Sequence, residues 1–422
     1  MTAYIRNAAG SSGRPERIVF SLSLLYLFVL PWQASIPFFE GDKIVGVTLA
    51  FLLAGAWFLL VLYRRTVRRP HIFHIMFAVF TGLHVLSILW SVDFSRTILS
   101  IPFFIMVGSM MYIYWDLYDT RSAVEYGLQA LLLGIFVTAV LVLIAYITAS
   151  GDINRRNFGF TGFNATEISR IFVFGLPITV FLYYSADQFQ PVPWKLINAG
   201  YIPIGVAAII VTGSRQSFVI LILLIIIIFF IILYHWRTIY KQYPKTISLI
   251  CASVVLGVYT FPRFSDLAIF ERFFTTTTVI QNGTLNNRTN IWEAGLAVIN
   301  NRPWVGAGSG TFPSIIEPAL TSNGIDVETL PPDIYPHNVF LGTAAEIGFI
   351  GLSFLLLSLL IIIYEISTER EFILFTSIII LIWIALSLVA DLHLYAISWM
   401  VLAMLLPLLA LTSEPQYWRL QK

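Results

Sequence analysis

The chain has 422 residues, of which 58% are hydrophobic and only 11% are charged, and its formal net charge is +2. A soluble domain keeps about a quarter of its residues charged, so this composition excludes a water-soluble globular protein. Apolar runs long enough to cross about 30 Å of hydrocarbon recur along the sequence. They predict an all-α polytopic membrane protein, and the one cysteine, Cys251, excludes a disulfide framework.

Hydropathy and charge together predict the membrane topology. About 12 spanning helices are expected, at residues 18–38, 44–63, 72–90, 97–115, 128–149, 168–185, 196–212, 216–234, 246–261, 338–364, 372–390 and 393–411. Most Lys and Arg residues between these spans fall on the side of the N-terminus, and the positive-inside rule makes that side cytoplasmic. We therefore expect both termini in the cytoplasm.

One outer loop, residues 262–336 between the ninth and tenth spans, is much longer than the others. A connection of this length is usually functional or disordered. Its aromatic and apolar residues and its turn-rich core, NNRPWVGAGSGTFPS, favour a small, partly helical cap. The expected domains are helices 1–9 in residues 1–261, the loop domain in 262–336, and helices 10–12 with a cytoplasmic tail in 337–422.

Arginines on the outer side run against the sorting rule, so each needs a reason. Arg215, in VTGSRQSF, lies between two apolar runs and must sit at the outer membrane surface. Its guanidinium can bind a phosphate through two hydrogen bonds, or it can simply reach lipid headgroups. Arg155, Arg156 and Arg170 flank NFGFTGFNATEIS, where they either pair with nearby acids or bind phosphate.

A further arginine, Arg288, opens the segment RTNIWEAGLAVINN inside the large loop. The apolar positions Ile291, Trp292, Leu296 and Ile299 recur at helical spacing, which predicts an amphipathic helix. The helix dipole disfavours a cation at the N-terminal end. An anion site that uses Arg288 together with the free backbone amides would explain its position.

The stretch YPHNVFLGTAAEIGFIGL places polar residues where the tenth span begins. His337 falls at the N-terminal turn, where the helix dipole favours the neutral imidazole, which can accept a proton from a hydroxyl; it can equally hydrogen-bond the backbone. Asn338 and Glu346 lie on one helix face, and a structural hydrogen bond is the favoured role of Glu346. Asp391 joins the last two spans and could line the same cavity as His337, or simply end a helix.

These motifs resemble the O-antigen ligase and O-antigen polymerase superfamily of bacterial envelopes. RTNIWEAGLAVINNRPWVGAGSGTF followed by HNVFLGTAAEIGFIGL is similar to its signature of an Arg-x-x-x-Trp helix, a Pro-x-x-Gly-x-Gly turn, His-Asn-x-x-Leu and Glu-x-Gly-x-x-Gly. The residues that carry the resemblance are Arg288, Trp292, Pro303, Gly306, Gly308, His337, Asn338, Leu341, Glu346, Gly348 and Gly351.

The resemblance implies a metal-independent, cofactor-free glycosyltransferase of the inner membrane whose active site faces the periplasm. A ligase of this kind moves O-antigen from undecaprenyl diphosphate to the lipid A-core oligosaccharide, with His337 as base and with Arg288 and Arg215 on the diphosphate. The expected partners are that donor, that acceptor and membrane lipids, and no nucleic acid is expected.

Three alternatives remain open at the level of sequence. A polymerase would use the same lipid-linked donor, and a transporter or flippase of lipid-linked glycans would carry no transfer chemistry at all. Transporters concentrate charged groups near the midplane, whereas most of the charges here lie at the outer boundary. The pair Asp326 and Glu328 has the acid-x-acid form of metal-dependent transferases, although two acids in a polar loop usually serve only solvation.

Overall fold

The computed structural model describes residues 13–33, 44–148, 164–185, 192–234, 288–322, 334–368, 372–411 and 416–419. These ranges are almost entirely helical. The helices are α1 (Arg14–Val29), α2 (Ile44–Arg64), α3 (Ile72–Leu86), α4 (Phe94–Leu117), α5 (Arg121–Thr148), α6 (Ala165–Ser185), α7 (Val192–Thr212), α8 (Arg215–Tyr234), α9 (Arg288–Asn301), α10 (Phe312–Ser322), α11 (Val339–Thr368), α12 (Ile373–Ser387) and α13 (Ala396–Leu409). Two strands, β1 (Thr66–Arg68) and β2 (Tyr417–Arg419), pair antiparallel.

Within the described ranges, 7 helical segments are long and apolar enough to cross a membrane, by length and composition. They are Val45–Arg64, Ile72–Leu89, Phe94–Leu117, Arg121–Thr148, Ala165–Tyr184, Trp194–Thr212 and Val339–Ser367. This makes the chain an all-α, multi-pass membrane protein, as its composition predicts. The count of 12 spans and the position of the large loop stay predictions, since residues 246–261 and 262–287 lie outside the described residues.

The chain divides into two compact units. The first unit combines Met1–Gly134 with Thr284–Lys422, and the second is Ile135–Gly283. The predicted domains 1–261, 262–336 and 337–422 follow the membrane topology and not these units, and they stay a prediction.

In the first unit, the amphipathic helices α9 and α10 pack on the beginning of α11. Their apolar faces form one cluster with α11 in which Ile291, Phe312 and Ala345 are buried. The helix predicted from the spacing of apolar residues after Arg288 is confirmed as α9. Helix α9 therefore covers the start of α11 with its apolar face. Its polar face remains outside the cluster.

The opposite end of the first unit is tied together by a buried carboxylate. Asp116, in α4, accepts hydrogen bonds from the Arg68 amide (2.7 Å), from the Trp57 indole (2.7 Å) and from the Arg64 guanidinium. Arg68 in turn stacks over Trp115 at 3.6 Å. These contacts fix β1, on which the C-terminal strand β2 pairs.

The second unit contains α6, α7 and α8 together with the part of α5 from Ile135 on. Tyr201 of α7 is buried and donates its hydroxyl to the Phe172 carbonyl of α6 at 2.7 Å. The ring lies against Gly175, where a Cβ would overlap it, so a residue without a side chain allows the two helices to approach closely. Helix α8 joins through a hydrogen bond between the Ser169 and Ser217 hydroxyls at 2.6 Å.

Candidate active site

Helix α11 is broken at Gly348. The turn that follows α9, residues 303–311, forms backbone hydrogen bonds with the helix at this break and is called the glycine turn. Gly348 has φ 71° and ψ −177°, a combination that is essentially restricted to glycine. In a regular helix the amides of Phe349 and Ile350 would bond to the carbonyls four residues earlier. Here they bond instead to the carbonyls of Pro303 (2.7 Å) and Trp304 (3.3 Å).

The exchange of hydrogen bonds is reciprocal. The helix carbonyls released by the break, those of Ala345 and Glu346, accept from the amides of Ala307 (2.9 Å) and Gly308 (2.8 Å). The Pro-x-x-Gly-x-Gly motif and the Glu-x-Gly motif are therefore joined by one reciprocal set of four backbone hydrogen bonds, which we call the splice. Gly306, at φ 66°, is required in it because a Cβ there would overlap the backbone of Glu346.

The same turn is held on its other side by the end of α3, the start of α4 and the segment between them. Ser309 hydrogen-bonds the His84 imidazole (Nδ1 to Oγ, 2.7 Å), and its amide donates to the Ser87 hydroxyl at 2.9 Å. Thr97 donates its hydroxyl to the Ser309 carbonyl at 2.8 Å. His84 stacks on Phe104 with ring centroids 3.5 Å apart. The turn is thus fixed on both sides, which makes it a rigid support for its surroundings.

Glu346 completes the splice with its side chain. Its two carboxylate oxygens accept from the amides of Gly310 (2.9 Å) and Phe312 (3.2 Å), and the residue is buried. Glu346 therefore caps the start of α10. A contact between Glu346 and substrate stays a prediction.

His337 stands immediately before α11 in a strained backbone conformation, at φ 48°. Residues other than glycine are uncommon there, and histidine is among the enriched exceptions. Its Nδ1 lies 2.8 Å from Asp391 Oδ2, and the exposed fractions of the two side chains are 44% and 6%. The structure therefore brings His337 and Asp391 together, with the imidazole accessible and the carboxylate buried.

Asp391 is positioned by the short 3-10 turn that joins α12 to α13. That turn, Leu392–Leu394, is held by hydrogen bonds to the Leu392 carbonyl from Ser398 (2.6 Å) and to the His393 carbonyl from the Trp399 indole (2.9 Å). Burial lowers the pKa of the His393 imidazole, and the Asp391 carboxylate acts in the opposite direction. No described residue hydrogen-bonds Asp391 Oδ1.

Arg288 belongs to the same neighbourhood. It is the first residue of α9, and the Trp292 indole one helical turn later donates to the Pro336 carbonyl at 2.8 Å. Residues four apart on a helix lie about 5–6 Å from each other on one face. Arg288 is therefore on the face of α9 that contacts the residue preceding His337.

Asn338 is the N-cap of α11. Its side-chain oxygen accepts from the amides of Phe340 and Leu341, both at 3.0 Å, which satisfies two of the amides that a helix start leaves without partners. Its side-chain oxygen is thus committed to the helix. A contact between Asn338 and substrate stays a prediction.

Because of this cap, we expect Asn338→Ala to lower the free energy of unfolding by about 1 kcal/mol, the usual cost of losing an N-cap. Thermal unfolding of the purified protein in detergent measures the loss. Asn338→Asp, which keeps the accepting oxygen, should retain the stability of the wild type. Equal melting temperatures for Asn338→Ala and the wild type would contradict the capping role.

The second unit holds two of the predicted arginines. Arg215 is the first residue of α8, directly after a turn in which Gly213 has φ 61°. Arg170 of α6 is buried and donates to the side-chain oxygen of Gln216 at 3.0 and 3.2 Å. In the part of the chain that the structure describes, no acidic side chain pairs with Arg215. Arg170 therefore contacts the residue that follows Arg215 in the chain.

Several residues of interest lie outside the described residues: Arg155, Arg156, Asp326 and Glu328. Within the described residues, sequence reasoning missed the contact between His84 and Ser309, which holds the glycine turn. The one signal that could have indicated it is the position of His84, a polar residue inside the predicted span 72–90.

Residues 201–356 match the family model described as O-antigen ligase. The matched range includes Arg215, Arg288, the glycine turn, His337 and the broken part of α11. No individual curated protein matches the chain. The family consists of glycosyltransferase-like enzymes of O-antigen and polysaccharide biosynthesis. The match agrees with the resemblance carried by the motifs, so residues 201–356 of this chain are similar to the O-antigen ligase family.

Proposed function

We propose that this protein is an O-antigen ligase. It moves O-antigen polysaccharide from undecaprenyl diphosphate to the lipid A-core oligosaccharide on the periplasmic face of the inner membrane, with both termini in the cytoplasm. The family match supports the donor class, and the exposed imidazole paired with a buried carboxylate supports the transfer chemistry. The preference for ligase over polymerase rests on the resemblance.

The contact between His337 and Asp391 is the observation that carries the proposal. A carboxylate only accepts, so the His337 nitrogen facing it, Nδ1, is the one that carries hydrogen. The other nitrogen, Nε2, then has a lone pair and can act as general base. When it takes a proton, the Asp391 carboxylate stabilises the imidazolium, which is the role of the acid in a Ser-His-Asp triad.

The reaction then needs one displacement. The acceptor hydroxyl oxygen attacks the anomeric carbon of the donor glycan while its proton passes to His337 Nε2. The bond between that carbon and the diphosphate oxygen breaks, and undecaprenyl diphosphate leaves with the electron pair. Arg288 neutralises the developing negative charge, since guanidinium groups bind phosphate oxygens in pairs.

Arg215 and Arg170 keep the phosphate-binding role that the sequence predicts, and Arg155 and Arg156 share that expectation. The support within the second unit is the position of Arg215 at a helix start and its lack of an acidic partner among the described residues. A helix start adds backbone amides that favour an anion.

An in vitro transfer assay tests the function. Purified protein is given labelled undecaprenyl-diphosphate glycan, with and without lipid A-core, in EDTA. A ligase transfers label to lipid A-core. Label that appears only in longer lipid-linked chains would make the protein a polymerase, and flipping in proteoliposomes without any covalent product would make it a transporter. Activity that is lost in EDTA and restored by Mg²⁺ would point to Asp326 and Glu328.

A separate prediction concerns Asp391. Asp391→Asn should lower kcat by at least about tenfold with KM little changed, because an amide neither fixes the imidazole tautomer nor stabilises the imidazolium. Steady-state transfer kinetics measure both constants. Glu317→Gln, the same chemical change at an exposed acid of α10, is the matched control and should keep the wild-type kcat. A normal kcat in Asp391→Asn would remove Asp391 from the mechanism.

A further inference from the structure

The glycine turn meets α11 along its length and not at its end. Gly348, where the turn is spliced in, lies nine residues after Val339 (348 − 339 = 9), the first residue of the helix. At 1.5 Å per residue this is about 13 Å along the helix axis. The hydrophobic segment that includes this point, Val339–Ser367, is one of the candidate membrane spans. The turn therefore lies beside the first part of a candidate membrane span.

The surface of the turn is apolar and exposed. Residues 303–311, PWVGAGSGT, contain no charged side chain, and Trp304 has an exposed fraction of 67%. Val305 is exposed as well, and so are Phe349 and Ile350 on the adjacent part of α11. Trp304 and Val305 thus continue the outward-facing apolar surface of a membrane span. A water-exposed loop would not ordinarily expose a contiguous apolar patch of this kind.

The backbone of the turn is hydrogen-bonded almost throughout. Every amide from Gly306 to Gly310 donates to another group of the chain. The carbonyls of Pro303, Trp304, Val305, Ala307, Gly308 and Ser309 each accept. In hydrocarbon each unsatisfied backbone group costs several kcal/mol, so irregular backbone at membrane depth is tolerated only where protein groups satisfy it. The amides from Gly306 to Gly310 meet that condition. The amides of Trp304 and Val305 have no partner among the described residues, so they fit the headgroup boundary, where water and headgroups accept hydrogen bonds, and not the hydrocarbon.

We propose that the segment Pro303–Val305 is inserted into the bilayer, in the leaflet at the His337 end of α11, where Trp304 and Val305 contact lipid. The partner of this surface is the boundary between lipid headgroups and acyl chains. Indole rings favour that level of the membrane, and the Trp90 indole, which donates to the Val305 carbonyl at 2.9 Å, lies beside it. The chain thus enters the membrane at this turn without crossing it. The proposal does not depend on which glycan is transferred.

Nitroxide accessibility measures this insertion. The native Cys251 is changed to Ser in the full chain, and single cysteines are introduced by Trp304→Cys, Val305→Cys, Ile350→Cys and Glu293→Cys. Each variant is spin-labelled in nanodiscs of phosphatidylethanolamine and phosphatidylglycerol. Collisions with oxygen, which concentrates in the bilayer, are compared with collisions with a water-soluble nickel chelate. Ile350 on α11 is the lipid reference, and Glu293, an exposed acid of α9, is the aqueous reference.

We expect the oxygen-to-nickel ratio at Trp304 to match that at Ile350 and to be several times that at Glu293. Val305→Cys gives an independent second value if the Trp304→Cys variant does not fold. A ratio equal to that at Glu293 would place the turn in water and overturn the proposal. Low collision rates with both reagents would show that protein covers the turn, which would overturn it as well.

Discussion

Replacing His337 with Ala should lower the turnover of glycan transfer by about 10²–10⁴-fold, the usual contribution of a general base. The acceptor hydroxyl would then lose its proton only to water. Donor binding should change little, because the proposed contacts with the diphosphate come from arginines. Single-turnover transfer with saturating donor measures the chemical step, and retention of labelled donor on the protein measures binding.

Two controls separate this chemistry from folding. His337→Asn keeps a residue that tolerates positive φ but offers no basic nitrogen, so it should be as inactive as His337→Ala. His71→Ala removes a histidine that pairs with Glu365 at 3.2 Å near the other end of α11, and it should keep wild-type turnover. Substantial transfer by His337→Asn would show that His337 is not the base.

The second large effect concerns stability. Gly348→Ala should lower the free energy of unfolding by several kcal/mol, because a side chain is strained by about 1–3 kcal/mol in this backbone conformation. The new Cβ would also overlap the Trp304 carbonyl oxygen, and overpacking costs about 1–3 kcal/mol more. The turn and the helix would have to separate, and the hydrogen bonds of the splice would be lost with them. Thermal unfolding in nanodiscs measures the change.

Gly82→Ala is the matched control for Gly348→Ala. Gly82 lies inside α3, and a Cβ built there meets no atom within 4 Å. The same substitution should therefore be neutral or stabilise the helix by about 0.5–1 kcal/mol. Similar melting temperatures for Gly348→Ala and Gly82→Ala would contradict the splice between the turn and α11.

The helices could be predicted from the sequence because hydrocarbon forces the backbone to satisfy itself within each segment. Helices Ala165–Ser185 and Arg215–Tyr234 occupy the positions of the predicted spans 168–185 and 216–234. Helix α9 was also predictable, since its apolar residues follow the helical period. Helix ends were less accurate, as in the last span, where the helix begins at Ala396 and not at 393. Residues 392–394 form a 3-10 turn instead, with the Leu392 and His393 carbonyls hydrogen-bonded to side chains of the following helix.

The splice could not be predicted, because it depends on hydrogen bonds between backbone groups about forty residues apart. The sequence shows glycines in both segments. It does not show that Gly306 lies against the backbone of α11 while Gly348 lies against the backbone of the turn. The pair formed by His337 and Asp391 is similar, since the two residues are distant in the chain. A short polar link between two spans has the same composition whether it only ends a helix or also contacts a distant histidine.

The central claim is that one base, His337, activates the acceptor for direct displacement at the anomeric carbon. The anomeric configuration of the new linkage tests it most directly, measured by NMR on the product of the purified protein and compared with that of the donor. A single displacement predicts an inverted configuration in the product. A retained configuration would require a covalent intermediate on a nucleophile that this account does not contain, and would contradict it.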